Sequence, residues 1–309
     1  MLSIGPRLLG PLSTRRGRAR VRKIPNNVFA HNDMKWYHMP VVPYWFYSRG
    51  QHVLIRGNAM KSMVPHVIRL FVVVAAIGTA VVTDAQEKVS LDKDSHLMGW
   101  WKFDETTGAT AVDSSKYDRK GTCTGELSFE KNSAEGKIGK ALQLALADSV
   151  EIKGYKGVTG TKPRTVTAWI KTTKTNGTIV LWGTNDSGKQ FSFGHIRGRI
   201  GMTPHGGYYY MKKYTNDDKW HHVAVVVAEA ELPNLYDNVQ LYLDGEVAEL
   251  DDIGLLGLLP IETGDQLNVR IGGGYEGLID ELRIYDRPLS IDEINAIYQG
   301  KSDKPLEKS

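Results

Sequence analysis

Val239-Gln240-Leu241-Tyr242-Leu243-Asp244-Gly245 alternates through a short run and then turns. A period of two is the strand pattern. Asp-Gly after alternating apolar residues is a strong hairpin signal, because a type I′ turn needs positive φ at both central residues. Outward from this hairpin the same pattern recurs. Trp100-Trp101-Lys102-Phe103-Asp104 places Trp101 and Phe103 on one face. Further β-branched or aromatic runs are Thr165 to Ile170, Thr178 to Trp182, Gln190 to Phe193, Trp220 to Val227, Leu267 to Ile271 and Leu278 to Tyr285. Many short strands punctuated by Gly, Asn and Asp, with no helical period between them, predict an all-β sandwich. One helix is expected, at the end. Ser290 and Glu293 form a capping box, Ile291, Ile294, Ile297 and Tyr298 form an apolar stripe, and Gly300 is the stop.

Charge divides the chain. Residues 1–85 hold twelve Lys/Arg against Asp33 and Asp84, a net of +10, whereas the rest holds twenty-seven Lys/Arg against thirty-three Asp/Glu, a net of −6. The part that reads as folded therefore lacks the basic stripe that nucleic-acid binding requires. Cys123 is the single cysteine, so stability must come from burial and the thiol reads as a small buried side chain.

Arg69 is followed by the thirteen-residue apolar run Leu70 to Val82, and Thr83 and Ala85 precede Gln86 as in a secretory cleavage site. A run of this length suits a signal-peptide core better than a full membrane span. Residues 60–85 are thus expected to be a signal peptide, cleaved after Ala85, or a signal anchor that touches membrane only through 67–82. Both alternatives export the C-terminal part of the chain. Around this segment we place at 1–59 either a basic, disordered extension or sequence ahead of a true start at Met60 or Met63, then a polar linker at 86–96, the sandwich at 97–300 and a charged tail at 301–309.

The order of motifs resembles bacterial laminin-G-like, concanavalin A-like domains. Trp101-Lys102-Phe103-Asp104-Glu105 with Asp113-Ser114-Ser115 matches their opening, Gly139 to Leu144 and Asp148-Ser149-Val150 the second block, and Thr165 to Lys171 the third. Trp220-His221-His222-Val223-Ala224, Leu241 to Gly245, and Gly277 to Tyr285 followed by Pro288 to Ile294 complete the series. The ending is also similar to that of the pentraxins. The resemblance starts at about residue 95 and implies an antiparallel jelly-roll β-sandwich with one short C-terminal helix.

Asp280 is the acidic residue of most interest. Strict alternation puts it on one face with Leu278, Leu282 and Ile284, and a carboxylate among aliphatic residues needs hydrogen bonds or a cation. The resemblance implies a structural calcium, for which Asp113 and Asp280 are the expected carboxylates. Asn185-Asp186 falls where pentraxins place a calcium loop, but the stretch Gly272 to Gly277 is short for their second loop, so 185–188 reads as a turn. Trp182, His195, Tyr208, Tyr209 and Tyr210 are the expected carbohydrate patch, since rigid rings with a polar tip stack on sugars. His221 and His222 are adjacent on a strand and point to opposite faces, so they cannot chelate together.

No pair of acidic residues alternates on one predicted strand as a glycosidase of this fold needs, and no nucleophile elbow is present. The expectation is an exported binding or adhesion module recognising carbohydrate at the cell surface or outside the cell. The alternatives are a structural or protein-adhesion domain without a small ligand, whose partner is an extracellular protein, and a glycan-cleaving enzyme.

Overall fold

The computed structural model describes residues 90–253 and 259–304. The basic extension, the signal or anchor segment, residues 86–89 of the linker and residues 305–309 of the tail lie outside the described residues. Seventeen strands, three α-helices and one 3-10 turn (Leu91–Lys93) are described. The strands are β1 (Leu97–Trp101), β2 (Thr110–Ala111), β3 (Gly121–Cys123), β4 (Ser133–Glu135), β5 (Lys140–Leu144) and β6 (Ser149–Ile152), then β7 (Arg164–Lys171), β8 (Gly177–Gly183), β9 (Gln190–Ile196), β10 (Arg199–Thr203), β11 (Tyr209–Tyr214) and β12 (His221–Val227). They continue with β13 (Val239–Leu243), β14 (Glu246–Val247), β15 (Leu250–Ile253), β16 (Leu267–Gly272) and β17 (Gly277–Tyr285). Helix α3 (Ile291–Tyr298) closes the domain, and two four-residue helices, α1 (Phe129–Asn132) and α2 (Leu235–Asn238), sit in connections where the sequence signals none.

The strands form two antiparallel sheets. One runs β14-β13-β12-β7-β17-β5-β4 with β1 also paired to β17, and the other runs β15-β11-β10-β9-β8-β16-β6-β3-β2. Between them lies one apolar core to which Trp101, Phe103, Val166, Ala168, Trp182, Phe193, Val225, Leu241 and Ile284 contribute. Each fully buried large side chain of this kind stabilises by roughly 1.5–3 kcal/mol relative to exposure. The fold is a jelly-roll sandwich of the expected class. Asp244 and Gly245 have φ of 52° and 86°, as the hairpin turn between β13 and β14 requires.

Central strand β17 departs from simple alternation. Its register with β7 shifts between Asp280 and Arg283, and Glu281 has φ 52°. The extra residue is a β-bulge, which reverses the facing of whatever precedes it. Ile279, not Leu278, therefore enters the core together with Leu282 and Ile284, while Leu278 is half-buried. The bulge also divides β17's other edge, with Gly277–Ile279 pairing β5 and Leu282–Tyr285 pairing β1.

The outer face of the eight-stranded sheet is closed by α3. Ile294, Ala296 and Ile297 pack on Leu91, Leu97, Trp100, Ala224, Val226, Tyr242, Tyr285 and Leu289. The capping box forms, with Ser290 Oγ accepting from the Glu293 N–H at 3.3 Å and Glu293 Oε2 accepting from the Ser290 N–H at 2.8 Å. Ile291, expected in the apolar stripe, is 45 % exposed and takes no part in the buried face of the helix. Beneath the helix, Trp100 Nε1 donates to Glu281 at 2.6 Å and Arg283 bonds Asp92 at 2.6 Å and Glu281 at 3.3 Å. Removing one partner of a buried set like this strands a charge and typically costs about 3–5 kcal/mol.

The two histidines go separate ways. His221 is held between Asp244 at 3.0 Å and Asp217 at 3.1 Å, and the Asp244 hydrogen bond raises its pKa. His222 faces Trp169 and Tyr298, and burial pushes it down to about 3, so it stays neutral.

Candidate functional site

On the outer face of the nine-stranded sheet, cross-strand pairing sets Thr178, Gly194, Gly201 and Tyr210 in one row. A second row, two residues along, runs Arg270, Leu181, Ser192 and Thr203. Residues two apart on a strand share a face, so both rows look outward while Phe191, Phe193, Ile200 and Met202 fill the core. The two central glycines are required by close approach. A Cβ on Gly194 stands 2.1 Å from the Gly177 carbonyl oxygen, and one on Gly201 stands 2.5 Å from that of Tyr209. The bare floor leaves a groove of about 330 Å³.

Its lining is polar and uncharged: Asn176, Thr178, Ser192 and Thr203 with the glycines, His195 and Ile196. Asn176 Oδ1 accepts from the Arg197 N–H at 3.1 Å, and Thr203 Oγ1 donates to the Gly207 carbonyl at 2.5 Å. The hydroxyls of Thr178 and Ser192 are uncommitted among the described residues. Along one side runs a ladder of rings and guanidinium groups. Arg197 stands 5.8 Å from the Tyr208 ring, Tyr208 stacks on Tyr210 at 5.5 Å, and Arg199 lies 4.1 Å over Tyr210 and 5.2 Å from Tyr214. Asp251 pairs with Arg199 and fixes the ladder's centre.

The structure redistributes the expected patch. Tyr208 is half-buried and stacks on Tyr210, which lies on the outer face but is covered by Arg199 and only 2 % exposed, and neither ring is among the groove's lining residues. Tyr209 turns into the core and donates its hydroxyl to the Val239 carbonyl at 2.8 Å. Trp182 departs most sharply from its expected place. It has no exposure, stacks on Phe191 at 4.1 Å and donates Nε1 to the Val158 carbonyl at 3.0 Å, so it cannot face a sugar. The cause is a register shift between Thr178 and Val180, which sends Ile179, Val180 and Trp182 all inward. His195 borders the groove, but its ring is buried, 2.9 Å from Thr215 Oγ1 and packed near Tyr275, and burial lowers its pKa to about 4. The groove's floor is absent from the sequence expectations. An isolated glycine inside a strand pattern, as in Phe193-Gly194-His195 and Ile200-Gly201-Met202, is the signal that marks such a close approach.

A second groove, about 550 Å³, lies between Lys212, Lys213, Asp244, Glu246, Glu249 and Tyr298. Lys212 is paired with Glu249 at 2.7 Å, so its walls are charged and partly self-satisfied.

The two expected calcium carboxylates serve other partners. Asp113 accepts four hydrogen bonds, from the N–H groups of Trp100, Ser115 and Arg119 and from Ser115 Oγ, all within 2.9 Å. Its oxygens are committed to closing a loop and do not fit a metal. Asp280 Oδ2 accepts from the N–H groups of Lys137 and Ile138 at 2.8 and 2.9 Å, holding the β4–β5 turn. Asp280 Oδ1 has no partner among the described residues, nor has the Nε1 of its cross-strand neighbour Trp169. No group of three His, Cys, Asp or Glu suited to a metal occurs among the described residues. Asn185 to Gly188 forms the turn between β8 and β9, and Gly272 to Gly274, all at positive φ, form a turn over Asp148 and Leu146.

Comparison with known proteins bears on this fold. Residues 145–295 match the family described as the concanavalin A-like lectin/glucanases superfamily. No curated protein matches the chain. Domain 4 of AbnA, a GH43 extracellular arabinanase from Geobacillus stearothermophilus solved with arabinotriose, superposes with a TM-score of 0.50 at 21 % identity, covering 66 % of this chain and 98 % of that one. The binding domain of Paraclostridial Mosquitocidal Protein 1 gives a TM-score of 0.47 at 13 % identity, over 68 % of this chain and 53 % of that one. The receptor binding domain of botulinum neurotoxin D gives 0.44 at 15 % identity, over 69 % and 54 %. The chain spans about half the length of these two toxin domains.

Asp280 offers a test of the buried acid. Burial pushes its pKa up from 3.8 to about 8. Between those values the folded state keeps a proton that the unfolded state releases, so Asp280 lowers stability as pH rises through the window. In chelator, the advantage of Asp280→Asn over the parent in melting temperature is expected to be smallest near pH 4, to grow as pH rises and to level off above about pH 8; a difference constant across pH contradicts the buried-acid assignment. Added calcium that raises the melting temperature of the parent and not of Asp280→Asn assigns the free oxygen to a cation. The matched region 145–295 lies wholly inside the two-sheet sandwich, so the resemblance to laminin-G-like, concanavalin A-like domains is shown in both sequence and fold.

Proposed function

We propose that the sandwich is an exported binding module that takes carbohydrate in the glycine-floored groove. The observation that carries this reading is the groove itself: a bare floor, uncommitted hydroxyls on Thr178 and Ser192, and the half-buried ring of Tyr208 beside it. Sugars need that combination of directed hydrogen bonds and a flat apolar contact. No carboxylate lines the groove, so it has no acid–base pair for glycoside cleavage, which supports binding over catalysis. The arabinotriose complex of the AbnA domain, which shares the fold over nearly its whole length, supports a glycan as the ligand class.

Export is part of the proposal, resting on the apolar run Leu70 to Val82 and the small residues Thr83 and Ala85. N-terminal sequencing of the secreted protein is expected to begin at Gln86; a product that stays in the cytosol with residues 60–85 attached contradicts it.

The ligand reading is tested on a glycan array with the full chain, in calcium and again in chelator, followed by titration of the best glycan. Ser192→Trp fills the groove from its floor without touching the core. It is expected to weaken binding roughly tenfold or more, about 1.4 kcal/mol, with the melting temperature kept. A blank array from folded protein, or undiminished binding by Ser192→Trp, overturns the assignment and points to protein adhesion or another face.

A further inference from the structure

Resting on the groove's reading as a sugar site, we propose that its ligand is acidic, an anionic sugar held between Arg197 and Arg270. Seven arginines fall within the described residues, and five of them have their guanidinium group engaged by the protein. Arg199 pairs with Asp251, Arg283 with Asp92 and Glu281, and Arg287 with Asp94 and Glu293. Arg119 donates to the Met98 carbonyl, and Arg164 donates to the carbonyls of Val158, Gly160 and Lys162 and to Thr263 Oγ1. The two exceptions are Arg197 and Arg270, whose guanidinium groups make no hydrogen bond or ion pair among the described residues. These two flank the groove.

Arg270 heads the row that crosses the floor through Leu181 and Ser192 to Thr203. Its side chain runs beneath Gly273, where a Cβ lies 2.8 Å from Nε, and the next residue, Gly274, lines the groove. The neighbouring acid in the same row, Glu151, is held by Asn268 Nδ2 at 2.7 Å and does not pair with it. Arg197 occupies the β9–β10 turn at φ 53°, with its N–H on the lining residue Asn176. Its guanidinium ends the ring ladder beside Tyr208.

Two uncompensated guanidinium groups next to a groove with no acidic lining create a local positive potential. Each is a planar fork that matches a carboxylate or a sulfate ester through paired N–H donors. The folded part as a whole is acidic, 86–309 carrying a net of −6, so this is a two-point recognition and not a surface for polyanions. Tyr208 takes the apolar face of the sugar, Ser192 and Thr178 its hydroxyls, and the arginines its negative group.

The test is calorimetric titration of the full chain with four probes: an oligogalacturonate, its methyl ester, a sulfated galactan oligosaccharide and its desulfated form. The charged member of at least one pair is expected to bind about tenfold more tightly than its neutral counterpart, with the gap narrowing as salt is raised. Which pair shows the gap tells carboxylate from sulfate. The double variant Arg197→Gln, Arg270→Gln is expected to close the gap, the charged probe falling to the affinity of its neutral counterpart. Equal affinities for charged and neutral probes overturn the acidic ligand and leave the sugar site standing. A gap that survives in the double variant overturns the assignment to these arginines. Absence of binding by all four, with a blank array, overturns the sugar site and this inference with it.

Discussion

Strand β17 lies at the centre of its sheet, and it meets its neighbours only because the chain takes one extra residue at Asp280–Glu281. A strand that alternates without interruption presents one set of side chains to the core along its length. Here Ile279 precedes the bulge and Leu282 and Ile284 follow it, all three in the core. Glu281, Arg283 and Tyr285 are thereby turned to the opposite face, where α3 and the segment around Leu91 cover them. The same step splits the strand's free edge between β5 and β1 and leaves Asp280 to hold the β4–β5 turn. A buried acid is the consequence, its pKa raised by the cost of leaving water.

Closing one sheet with a helix leaves the outer face of the other for contact with a ligand. There the decisive feature is absence of bulk. Gly194 and Gly201 sit where backbone oxygens of neighbouring segments approach too closely for a methyl group. The sheet therefore has a gap in its side-chain layer, bordered by Thr178, Ser192 and Thr203, with the Tyr208–Tyr210 stack next to Gly201. Rigid strands position all of these groups, so a ligand meets a surface that is already formed.

Much of the fold is legible locally. The Asp244–Gly245 turn and the Ser290–Glu293 cap are short-range chemistry, and both form as the residues require. The facing of Trp182 is not legible, because a register shift three residues earlier decides it. Asp280 is misplaced by strict alternation for the same reason. Pattern rules assume that the period of two continues, and a bulge breaks it without changing composition. The candidate site is half legible. Tyr208 and Tyr210 stand out by their aromatic character, but the floor they border is assembled from β8, β9 and β10, whose pairing is a tertiary property. Arg197 and Arg270 stand out only by what surrounds them, and partnership cannot be read along the chain.

The claim that ligand binding occurs at this groove is tested most directly by amide chemical-shift mapping, with an oligosaccharide titrated into isotope-labelled protein. The account predicts shifts concentrated at Asn176–Thr178, Ser192–Ile196, Gly201–Thr203 and Gly274, with the amides of α3 undisturbed. Shifts confined to the groove between Lys212, Glu249 and Tyr298, or spread over the α3 face, contradict it.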